Sequence, residues 1–142
     1  MPQSKTDLAE RLALDALLRA GQVYLVLLTA DPTEGAAPAE PPTGDGYARM
    51  PVHFSAAATN TGTTTSVNDG TNAGGGAGNG SSVIFGPVVG TNWTLWGVGV
   101  AQSGVRGTDD LLYKEPLAGQ PITAGVGSTV TAQPGDIVVE EQ

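Results

Sequence analysis

Apolar positions along the chain fall into two regimes. Over residues 7–20, DLAERLALDALLRA, the leucines Leu8, Leu12, Leu14, Leu17 and Leu18 recur at near-helical intervals. Thr6 or Asp7 is placed to cap the start and Gly21 the end, which predicts one amphipathic helix. Arg11, Asp15 and Arg19, at i, i+4 spacing, predict an exposed charge ladder along it. After the helix the period shortens. QVYLVLLT (22–29) is apolar on both alternating faces and predicts a strand covered from two sides, with the helix at hand to cover one. ADPTEG breaks that strand, and Gly44 and Gly46 suit a turn before MPVHFS (50–55). There Val52 and Phe54 alternate with His53, and Pro51 assigns the strand to a sheet edge or to its own first residues.

Further strand patterns follow at SVIFGPVV and NWTLWGVGVAQ. In the second, Gly97 and Gly99 share one face, and a face without side chains invites close approach of another backbone or a large ring. SGVRGTDD predicts a hairpin loop, LLYKEPL a strand stopped by Pro116, and GSTVTAQPGDIVVEE two last strands around a Pro134-Gly135 turn. The whole predicts a single domain, 1–142: an all-β sandwich or small barrel of about seven short strands with one N-terminal α-helix. Between the Phe54 strand and the VIF strand, residues 56–82 hold only Ala, Thr, Gly, Asn and Ser besides Val67 and Asp69. Such a stretch buries too little apolar surface to offset ordering costs of about 1–2 kcal/mol per residue, which predicts a flexible loop or arm.

Composition narrows the chemistry. The chain has 21 glycines and 10 prolines in 142 residues, below the roughly 25–30% that marks low-complexity disorder. Six basic against fourteen acidic residues give a net charge of −8, the wrong sign for binding nucleic acid or an anionic membrane. Without cysteine there are no disulfides, zinc thiolates or cysteine nucleophiles. The only histidine, His53, has no nucleophile motif to serve, and Asp109 and Asp110 are adjacent, so an extended backbone points them to opposite sides. GGGAGNG lacks the strand, helix and Lys-Ser/Thr of a phosphate loop. Asn68, Asp69, Thr71 and Asn72 supply one carboxylate, too little for a tight calcium site. The expectation is therefore no catalytic residue, no metal and no cofactor. Trp93 and Trp96, three apart on one strand, face opposite sides, which leaves one of them for a partner or a sugar ring.

The order of VYLVLLTADPTEG, GDGYARMPVHFS, VIFGPVVGTNWTLWGVGVAQSG, LLYKEPL and AGVGSTVTAQPGDIVVE resembles small virion structural proteins of tailed bacteriophages, described as capsid decoration, minor tail or tail-fibre proteins. The likeness covers nearly the whole chain. It implies a non-enzymatic homo-oligomer such as a trimer, made in the host cytoplasm and placed on the capsid surface, where it binds the major capsid protein. The alternative is a minor tail or tail-fibre module binding host surface glycan. The long glycine-rich stretch departs from the short link usual in such proteins, and a ribbon of this kind can lie along a partner through backbone hydrogen bonds. Its residues Asp69, Gly74, Gly75, Gly76, Gly78 and Asn79, with Trp93, are the candidate partner contacts.

Overall fold

The computed structural model describes residues 6–60, 63–67, 82–133 and 136–141. The chain is mostly β, with eleven strands among the described residues and one N-terminal helix, in place of about seven strands. The excess is two strands within 56–82, one at Ile122–Ala124, and the division of the Trp-bearing run into two. The chain divides into two compact units: residues 1–22, 52–82 and 133–142 form one, and residues 23–51 and 83–132 the other.

The first unit sets a helix, α1 (Asp7–Leu18), against three antiparallel strands. These are β3 (Ala58–Asn60), β4 (Thr63–Val67) and β11 (Val138–Glu141), in the order β11-β4-β3. The Thr6 hydroxyl caps the helix, accepting from the Ala9 N–H at 3.2 Å, and the Arg19 N–H closes the last turn on the Asp15 carbonyl. Threonine-rich β4 suits the pleat because β-branched side chains pack there, so the predicted flexible stretch 56–82 contributes two strands of this sheet. Residues 68–81 of that stretch lie outside the described residues.

The face of α1 turned to the sheet carries Glu10, Leu14 and Leu18, all buried, while Leu8 and Leu12 are 58% and 59% exposed. The charge ladder is not a solvated row either. Arg11 Nη1 donates to Thr59 Oγ1 at 3.0 Å, and Asp15 Oδ1 accepts from the Ala57 N–H at 2.9 Å. Thr64 Oγ1 donates to Glu10 Oε2 at 2.7 Å and lies 2.8 Å from Thr59 Oγ1. A hydroxyl has one proton, so with Thr64 committed to Glu10 the direction is fixed as Arg11 to Thr59 to Thr64 to Glu10. The helix thus meets its sheet through a chain from cation to anion, and its expected partner, the 22–29 strand, belongs to the other unit.

In the second unit, β1 (Val23–Leu28) is the inner strand predicted, buried at five of its six positions. It lies between β2 (Met50–Val52) and β7 (Gly97–Ala101), with β8 (Leu111–Pro116) beyond β7. The Trp-bearing run is two strands, because the chain leaves the ladder at Trp96 after β6 (Trp93–Leu95). β6 pairs with β9 (Ile122–Ala124), and β5 (Val83–Phe85) pairs with β10 (Val130–Ala132). The two last strands are therefore not a hairpin: β10 joins β5, and β11 joins β4. The bare face of β7 is filled by backbone, as its glycines predicted. A Cβ on Gly97 would run into the Glu115 carbonyl, and one on Gly99 would stand 2.8 Å from the Tyr113 carbonyl and 2.6 Å from Leu111 Cδ1.

Candidate functional site

The densest polar chemistry in the described residues gathers around the GDGYARM segment of the second unit. A short 3-10 turn, Thr43–Asp45, ends on Gly46 at a φ of 89°, a conformation that glycine adopts without strain and that sends Tyr47 into the core. The Tyr47 ring stacks on Phe85, with centroids 6.0 Å apart, and meets Trp93 edge-on at 5.8 Å. Trp93 is 1% exposed, and its Nε1–H donates to the Asp45 carbonyl. Trp93 is thus a core residue rather than a partner contact. Trp96 is also partly buried, packed against Val26, Leu28 and Ala101, because the break in the strand frees both tryptophans from the alternation that would separate them.

The Tyr47 hydroxyl accepts from the Leu27 N–H at 3.2 Å and donates to Glu40 Oε1 at 2.5 Å. Glu40 is gripped from the other side by Arg49, whose Nε reaches Oε1 at 3.0 Å and Nη2 reaches Oε2 at 2.9 Å, a two-pronged contact. Arg49 Nη1 donates to Asp110 Oδ2 and to the Ser103 carbonyl, each at 2.8 Å. Arg106 holds the Pro41 and Glu40 carbonyls and places its guanidinium 5.6 Å from the Tyr47 ring centroid. The Arg49 and Glu40 side chains are 1% and 0% exposed. Burial alone opposes the Arg49 charge, yet Glu40 and Asp110 overcome it and push the guanidinium above its ordinary range. Burial, then the hydrogen bond to Glu40 and its charge, push the Tyr47 phenol well above its usual value.

Every buried side-chain polar atom among the described residues has a partner. The network is a clamp that ties the loop before the GDGYARM segment to the β7–β8 connection, its buried polar atoms all partnered within the protein. Sequence reading missed Glu40, Tyr47, Arg49 and Arg106. The signal that could have found them is local: an acid in a Pro/Ala stretch and an arginine between apolar neighbours are charges in places that solvated faces do not favour. Asp109 and Asp110 separate as expected, with Asp110 in the clamp and Asp109 exposed.

The other candidates do not converge. Asp69, Gly74, Gly75, Gly76, Gly78 and Asn79 lie outside the described residues, as do Asn68, Thr71 and Asn72. His53 is half-buried beside β2. No three His, Cys, Asp or Glu side chains among the described residues gather to hold a metal ion, and no helix among them is long and apolar enough to cross a membrane. An open cleft of about 150 Å³ lies between loop 32–36 and β8, with Glu34 and Asp109 in its lining and Lys114 paired to Asp31 beside it at 2.8 Å.

The model of one protein family, described as podophage GP4 fiber I protein gp80, matches residues 5–140. The chain belongs to this gp80 family. Comparison with the curated proteins returned no match. Membership in the gp80 family makes the chain a bacteriophage structural protein, in keeping with the resemblance to small virion proteins of tailed phages. The match takes in α1, the clamp and all but the last residue of β11, so in this gp80-family chain both units belong to the family's fold.

Proposed function

We propose that the chain is a non-enzymatic structural subunit of the virion, held in place by protein–protein contact. The observation that carries this reading is the distribution of side-chain chemistry. The buried charges are all spent within the fold, Glu40 and Arg49 on one another in the clamp and Glu10 on Thr64, while Leu8 and Leu12 of α1 face outward. That is the pattern of a protein whose surface docks rather than one whose cleft reacts.

The placement we take first is the capsid shell, where the chain acts as a decoration protein joining neighbouring major capsid subunits and associating with its own copies. The sequence supports it in one respect: it has no internal repeat of the kind that lengthens a fibre shaft. A second placement, a tail fibre or minor tail position with host surface glycan as ligand, is favoured by the family's description as a fibre protein.

Cryo-electron microscopy of intact virions, with an antibody fragment marking the chain, tests both placements. Density over the shell at many symmetric positions, and binding of the purified chain to empty shells, is the expected result. Label confined to the tail, with binding to host glycan and none to shells, would replace the first placement by the second.

A further inference from the structure

Four successive residues of β8, Leu111 to Lys114, line the cleft opposite loop 32–36. Side chains of a strand alternate between its two faces, so a run of neighbours shares one cleft only along the strand's backbone edge. β8 is the outer strand of its sheet, with β7 on one side alone, and its other margin of N–H and C=O groups faces the opening. Among the described residues no main-chain hydrogen bond joins the loop to that margin. Lys114 Nζ donates across to Asp31 Oδ1 at 2.8 Å and to the Pro32 carbonyl at 3.2 Å, and Pro116, without an N–H, ends the usable edge. At about 3.3 Å per residue, the four residues leave about 13 Å of edge open.

The walls select what enters. Glu34 and Asp109 line the opening, and neither carboxylate has a hydrogen bond or ion pair among the described residues. Lys114 is neutralised by Asp31, so these two carboxylates are the uncompensated charge of the cleft. Pro32, Leu111 and Leu112 supply apolar lining. Arginine and lysine have the matching halves, an apolar stem and a cationic head. We infer that the cleft takes an extended segment of another virion protein, paired main chain to main chain with the open edge of β8 and inserting an arginine or lysine whose head group meets Glu34 and Asp109. A second copy of the chain is the poorer occupant: it carries a net charge of −8, and its Arg11, Arg49, Arg106 and Lys114 are already bonded within their own fold. The inference rests on the reading of the chain as a virion subunit held by protein contact, and applies to shell and tail alike.

The probe is a synthetic hexapeptide of alternating valine and arginine, blocked at both ends and titrated into the 15N-labelled chain. Amide shifts should concentrate at residues 33–36 and 111–114. A peptide with glutamate in place of arginine should produce none, and methylation of the edge-facing backbone nitrogens of the arginine peptide should abolish the response. Glu34→Gln/Asp109→Asn should weaken binding at least about threefold and leave Tm unchanged, since both positions are exposed. Shifts confined to other residues, an equal response to the glutamate peptide, or undiminished binding by the double variant would each overturn the inference. So would a response to glucosamine with none to the arginine peptide, which would assign the cleft to a sugar. Absence of the parent chain from purified virions overturns the structural-subunit reading instead, and the peptide titration still decides the chemistry of the cleft.

Discussion

Removing the Glu40 carboxylate is the sharpest test of the clamp. In Glu40→Leu, Arg49 loses both prongs of its paired contact and the Tyr47 hydroxyl loses its acceptor, while a guanidinium 1% exposed is left with Asp110 and backbone carbonyls. Breaking a buried pair from one side costs about 3–5 kcal/mol, against about 0.2–1 kcal/mol for an exposed pair. Arg49→Met should cost a similar amount, since it leaves the Glu40 carboxylate buried with only the Tyr47 proton. The double variant Glu40→Leu/Arg49→Met removes both charges, so it should fall short of the sum of the single costs by about 0.5–3 kcal/mol. Urea denaturation at pH 7, followed by tryptophan fluorescence, reads the effect directly because Trp93 and Trp96 both lie in the unit that holds the clamp. With slopes of about 1–3 kcal/mol per molar urea, each single variant should lower the midpoint by at least about 1 M. A loss below about 1 kcal/mol for Glu40→Leu, or strict additivity in the double variant, would refute the reasoning.

Three further outcomes are expected. Tyr47 titrates above its ordinary value of about 10 in the folded chain, so its contribution to stability is complete below pH 10 and is lost as pH rises beyond it, by about 1.4 kcal/mol per pH unit; Tyr47→Phe should flatten that alkaline slope in denaturation curves taken from pH 8 to 11.5. Leu14→Ala should cost about 2–5 kcal/mol and Leu12→Ala no more than about 0.5 kcal/mol in the same assay, because only Leu14 is buried. Gly99→Ala should destabilise by about 1–3 kcal/mol, since its methyl meets the Tyr113 carbonyl, whereas Gly21→Ala, with nothing within 4 Å, should leave the midpoint in place.

The helix shows where sequence reading stops. Its limits were legible from the leucine spacing and the caps, but the leucines form two rows, Leu8 with Leu12 and Leu14 with Leu18, and periodicity alone does not say which row faces in. The answer lies in the partner: a sheet whose covered face offers Thr64 and Ser66 accepts Glu10 beside Leu14. The inner strand β1 and the close backbone approach at Gly97 and Gly99 were legible because each is encoded within a few residues. The clamp was not, since Glu40, Arg49 and Asp110 are separated in sequence and meet only through the fold. The tryptophans misled for a related reason: alternation holds only while a strand runs on, and this one breaks at Trp96.

The division of the chain into interleaved pieces bears on how it is made. The first unit draws on the beginning, the middle and the last residues, and β4 finds its second neighbour only in β11. A ribosome adding about 5–20 residues per second must therefore hold Thr63–Val67 half-paired, on the order of several seconds, while the other unit is synthesised. Throughout that interval one margin of β4 is an open template for any other nascent chain with a free edge. A ribosome that stops before Val138 leaves the margin open for good, so in a host making many copies at once, truncated products should be the ones that aggregate.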